Sequence, residues 1–110
     1  MNLKDLAQDL GLEDDEFLEI VELYIETSDS DFIKIQAAIA DGNAQMILEA
    51  AHSIKGASGN FGFMKAHETA GKIELEARNG HIAAAAETAK LLEKELMQIK
   101  SLILHQEYQP

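Results

Sequence analysis

From Asp14 to Ala40 the chain runs without a glycine or a proline, and this run constrains the fold more than any other feature. Its apolar residues Phe17, Val21, Tyr24, Phe32, Ile35 and Ile39 fall on a near-heptad seam, interrupted only at Ser28. The spacing predicts one helix, with the polar stretch "TSDSD" inside it. A helix apolar on one side only is marginal in water, so that side has to be covered by further helices.

The rest of the chain supplies them. "ADGN" is a turn, and Asn43 is placed to cap a helix that starts at Ala44. Another helix is expected from about Met64 to Asn79, with Met64, Ala70, Ile73 and Ala77 among its apolar or small positions. "RNG" ends it, with Gly80 where a left-handed residue is wanted. The last helix, about Ile82 to His105, carries Leu92, Leu96, Ile99 and Ile103 at helical spacing. Upstream, residues 2–10 predict a short helix capped by Asn2, with Leu3, Leu6 and Leu10 on one side and Gly11 at its end. No strand pattern competes. The expected fold is all-α: an up-down-up-down four-helix bundle with a short extra N-terminal helix. At 110 residues this is one domain, with 1–12 as the N-terminal helix and linker and about 13–105 as the bundle.

Charge and composition narrow the function. The formal net charge of −11 disfavours nucleic acid and anionic membrane surfaces as partners. The acidity is spread over "LEDDEFLE", "IETSDSD" and "HETAGKIELE", as solvated helix faces would be. No stretch approaches the roughly 20 apolar residues that span a bilayer, and the N-terminus does not read as a secretory signal. With no cysteine, thiol catalysis and disulfides are excluded. The expected location is cytoplasmic.

Against this helical background, "AHSIKGASGNFGF" (Ala51 to Phe63) places Gly56, Gly59 and Gly62 close behind His52 and Lys55. An interior glycine costs a helix about 1 kcal/mol relative to alanine. On a helical wheel Ile47, Ala51, Ile54, Ser58 and Phe61 cluster within about 80° as the core seam. Measured from its centre, Lys55 lies near ~80°, Leu48 near ~100°, Gly59 near ~120°, His52 near ~140° and Gly56 near ~180°. The histidine, the lysine and both glycines share an arc turned away from the core. That arrangement suits an imidazole that must meet another protein's reactive site, with bare backbone at Gly56 and Gly59 clearing the approach and Leu48 serving recognition. Lys55, one turn on, can place its ammonium beside a negatively charged group carried on the ring. A neutral imidazole is nucleophilic at physiological pH. Gly62 follows Phe61 and closes the helix.

Rival chemistries are poorly supplied. Glu49-x-x-His52 has the spacing of di-iron carboxylate bundles, but those need a second such pair and two more inward glutamates. No other Glu-x-x-His occurs, so no metal site is expected. There is no Gly-x-Ser-x-Gly, no Ser/His/Asp grouping and no phosphate-binding loop. His67, His81 and His105 read as surface residues.

The motif resembles the signature of histidine phosphotransfer (HPt) domains, roughly His-x-x-Lys-Gly-x-[Ser/Ala]-x-x-[apolar]-Gly, matched by His52, Lys55, Gly56, Ser58, Phe61 and Gly62. The likeness extends over about residues 13–105, including the long helix before "DGN" and the "EARNG" turn. It implies a phosphohistidine carrier in a two-component phosphorelay, not an enzyme with its own kinase activity. His52 would accept a phosphoryl group from a receiver aspartate or a kinase and pass it to a response-regulator aspartate, with Lys55 near the phosphoryl group. The implied partners are receiver domains and a sensor or hybrid histidine kinase. Mg²⁺ is expected on the receiver, and no cofactor on this chain, which is expected to be a monomer. Chemotaxis kinases open with the same motif, and there a glutamate on the next helix hydrogen-bonds the imidazole; Glu74 stands at the matching place, and "KIELEA" offers Glu76 as an alternative. The family often has an acidic residue where this chain has His81, which puts only a helix cap in doubt. Two alternatives stay open: a phosphotransfer domain belonging to a larger kinase, and a helical interaction module whose histidine is never phosphorylated.

Overall fold

Asn43 accepts a hydrogen bond from the Met46 backbone N–H at 3.1 Å, and this cap starts the helix that carries the motif. The computed structural model describes Gly11 and residues 14–107. Four helices make up the bundle: α1 (Asp14–Asp41), α2 (Ala44–Phe61), α3 (Met64–Arg78) and α4 (Ile82–Glu107). The short helix expected over residues 2–10 lies outside the described residues. Each helix packs on the next, and α4 closes against α1. Connections of two or three residues force consecutive helices antiparallel.

Gly62 ends α2 at φ 77°, and two backbone N–H bonds close that end: Gly62 to the Gly59 carbonyl at 3.1 Å and Phe63 to the Ser58 carbonyl at 3.0 Å. An L side chain is strained at that angle, which accounts for this one of the three motif glycines.

The seams read from the sequence are the buried ones. Val21, Ile35, Ile47, Ile54, Ile73, Leu92 and Ile103 lose essentially all exposure, each worth about 1.5–3 kcal/mol of transfer free energy. Ile39 and Ile99 are half-buried at the margin. Met64, apolar by type, is exposed, because Phe63 just before it takes the inward place. The Phe63 ring lies 5.9 Å from Phe61 and 5.3 Å from Tyr24.

Polar residues break the α1 seam without breaking the helix. Ser28 and Asp31 are buried, and the Ser53 hydroxyl of α2 donates to Asp31 Oδ2 at 2.6 Å. The Tyr24 hydroxyl and Ser58 Oγ share a 2.8 Å hydrogen bond in the core. Burial pushes the Tyr24 hydroxyl above its ordinary value, partly offset by its hydroxyl partners. These bonds fix the rotation of α2 against α1, and with it the direction in which the other side of α2 faces.

Candidate functional site

With Ile47, Ala50, Ala51, Ile54, Ser58 and Phe61 all buried, α2 has one rotational setting, and His52 is turned outward. Its side chain is 70% exposed. The α3 helix is set in the same way by Ala66, Ala70, Ile73 and Ala77, which brings Glu74 against α2 with its side chain only 8% exposed.

Glu74 is the centre of the site. Its Oε2 accepts a 2.6 Å hydrogen bond from His52 Nδ1–H. An ionised carboxylate only accepts, so Nδ1 carries the proton and the neutral ring keeps its lone pair on Nε2. Oε1 lies 3.4 Å from Lys55 Nζ, and an Arg78 Nη2 stands 3.9 Å from Oε2. Burial alone would push the Glu74 carboxyl up, but the hydrogen bonds and charges of His52 and Lys55 outweigh it and hold the group below the ordinary glutamate value. A short charge-assisted bond to a buried, ionised acid is a stiff mount for an exposed ring.

Lys55 is half-buried at the α2/α3 boundary. Its stem runs over Gly71, where a Cβ would meet Lys55 Cδ at 3.6 Å. The ammonium therefore sits beside Glu74, one helical turn from His52.

The remaining motif residues divide. Gly56 is exposed, with open space where a Cβ would be, so backbone is bare next to His52. Gly59 is not part of that approach face, contrary to the wheel. It is half-buried, and a Cβ there would lie 2.9 Å from Nδ1 of the His67 ring. His67 in turn is no free surface residue: its Nδ1–H donates to the Lys55 carbonyl at 2.9 Å. Gly59 is small because the imidazole of α3 crosses α2 at that point. The wheel placed Gly59 correctly relative to the core seam and could not show that α3 covers that flank. Leu48 is half-buried and packed on the core, so at most its edge is presented. His81 is exposed, and the side chain of His105 lies outside the described residues.

Sequence reasoning missed Arg78, His67 and the Asp31–Ser53 bond. Arg78 had a readable signal, since it stands four residues after Glu74. His67 had none, because its partner is a backbone carbonyl on another helix. Glu49 is exposed and accepts from Gln45 Nε2 at 3.3 Å. Among the described residues, no group of three or more histidines and acids is arranged to hold a metal, and no helix is long and apolar enough to cross a membrane.

Residues 19–102 match the Hpt domain family. No curated protein matches the chain. Among solved structures, the chain is similar to the crystal structure of histidine-containing phosphotransfer protein B of Pseudomonas aeruginosa PAO1. The two are 26% identical with a TM-score of 0.84, over 97% of this chain and 92% of that one.

Proposed function

The chain belongs to the Hpt domain family, and from that premise we propose that it is a phosphorelay carrier whose phosphoryl group rides on Nε2 of His52. The observation that carries this reading is the exposed imidazole with Nδ1–H held by a buried, ionised Glu74. In the acceptance step the Nε2 lone pair attacks the phosphorus of an aspartyl phosphate on a receiver domain. The P–O bond to the aspartate breaks, and its electron pair leaves with the carboxylate. No proton has to move, because Nδ1 keeps its own. The ring becomes cationic as the N–P bond forms, and Glu74 faces that developing charge at hydrogen-bond distance. Lys55 offsets part of the phosphoryl charge. Delivery to a response-regulator aspartate is the same step reversed.

In this reading the chain supplies a nucleophile, a mount and a compensating charge, while the receiver supplies its aspartate and Mg²⁺. The chain works as a cytoplasmic monomer, without kinase activity or a cofactor of its own. Gly56 leaves room for the receiver's rim, and the exposed edge of Leu48 lies on the docking face. Incubation with phosphorylated receiver domains tests the proposal. Label should move to this protein, be acid-labile and base-stable, and vanish in His52→Gln. Label retained by His52→Gln, or no label on the wild type, refutes it.

A further inference from the structure

Arg78 is the chain's one arginine, and it stands at the C-terminal end of α3 with a side chain 60% exposed. We propose that Arg78 is a second cation for the phosphoryl group, released from Glu74 when His52 is phosphorylated. The inference rests on the carrier reading and adds to it a residue that contacts the phosphoryl group.

The charge balance at the site carries the argument. Before transfer, Glu74 and Lys55 cancel, the neutral imidazole adds nothing, and Arg78 stands by. A phosphoryl group brings about two negative charges, in a chain whose net charge is already −11. The ring, cationic once phosphorylated, is held to Glu74 through Nδ1, so that pair is internally balanced. Lys55 alone cannot neutralise the remainder, and its ammonium already shares Glu74 Oε1 at 3.4 Å. Arg78 is poised against the carboxylate oxygen that holds the ring, yet at 3.9 Å it is too far for a hydrogen bond. An exposed ion pair of that length is worth about 0–1 kcal/mol, so leaving it costs little. A guanidinium facing phosphoryl oxygens offers two parallel donors, a stronger and more directional contact.

Because there is one arginine, its side-chain Nε–H gives one NMR signal. Phosphoramidate serves as donor: the Nε2 lone pair takes the phosphorus, the P–N bond of the reagent breaks, and ammonia leaves. On phosphorylation the Arg78 signal should move downfield and sharpen. In ³¹P spectra the last ionisation of the phosphohistidine should titrate higher in Arg78→Ala, by about 0.5 pH unit for the loss of one exposed cation. Arg78→Lys should recover part of that shift. Arg78 also favours the C-terminal end of α3 through the helix dipole, and thermal melts of both variants measure that role separately, since dipole loss leaves the ³¹P midpoint unmoved. If His52 takes label while the Nε–H signal stays in place and the midpoint is the same in Arg78→Ala, the inference is overturned and the carrier reading stands. If the wild type takes no label on His52, both fall.

Discussion

Placing a methyl group at Gly59 gives a stability change whose sign depends on a second residue. Gly59→Ala gains up to about 1 kcal/mol of helix propensity. Its Cβ would stand 2.9 Å from His67 Nδ1, so the ring has to move. Overpacking of this kind costs about 1–3 kcal/mol, and displacing the ring also forfeits its bond to the Lys55 carbonyl, worth about 1 kcal/mol. The expected net effect in the wild-type background is a loss of about 1–3 kcal/mol. In a His67→Ala background the obstacle is gone, and the same substitution should stabilise by up to about 1 kcal/mol. The coupling between the two positions is then about 2–4 kcal/mol, large for a single pair of residues. Urea unfolding of the four proteins, followed by circular dichroism, gives the cycle directly from midpoints at constant slope. Gly56→Ala is the control: with open space at its Cβ, it should stabilise in both backgrounds. If Gly59→Ala raises the wild-type midpoint as much as it raises that of His67→Ala, the ring is not what keeps position 59 small. The account of this glycine would then be wrong.

His52→Gln should abolish phosphoryl acceptance while shifting the melting temperature by no more than a few degrees, because the ring is largely exposed; a collapsed helical signal would contradict that. Glu74, with its carboxyl held low, favours the folded state at pH values above the ordinary carboxylate range, and this contribution is lost as the pH falls through its depressed value. Glu74→Gln should therefore flatten the acid limb of a stability-against-pH curve, and ¹⁵N shifts should show His52 losing its fixed Nδ1–H tautomer; an unchanged limb and tautomer would remove Glu74 from the site. Tyr24 is displaced the other way, so its contribution is complete below the ordinary tyrosine range and is lost as the pH rises through its raised value. Tyr24→Phe should cost about 1–3 kcal/mol by stranding the buried Ser58 hydroxyl, and adding Ser58→Ala should recover part of it; no recovery would mean that packing, not the hydrogen bond, sets the loss. Lys55→Ala should slow transfer or shorten the phosphohistidine lifetime, less so in high salt; an unchanged rate and lifetime would dismiss its assigned role.

Helix bounds were legible because the local signals are explicit. Asn43, Gly62 and Gly80 punctuate the chain through caps and positive φ angles, and such chemistry acts within a few residues of itself. The inward faces were legible because a 3.6-residue period leaves one solution for α2. The inward place at the first turn of α3 is where the period constrains least, and there Met64 is exposed and Phe63 is turned in. Phe63 wins that place because the Tyr24 and Phe61 rings are already there.

What the sequence could not yield lies between helices. His52, Lys55 and the open flank at Gly56 belong to one helix, and a wheel is enough to gather them. Glu74 comes from another helix, 22 residues away, and from spacing alone it is one glutamate among many. The fold singles it out by burying it. A carboxylate left in water would hold the imidazole weakly and share its charge with solvent; one with 8% of its side chain exposed turns that charge on His52, Lys55 and the more distant Arg78. Its desolvation opposes ionisation and His52 and Lys55 restore it, so the site's charge state depends on α2 and α3 staying in register. His67 contributes to that register from the other side, tying the first turn of α3 to the carbonyl of Lys55 itself. Gly59, which looked like clearance for a visiting protein, is the clearance that this internal tie requires.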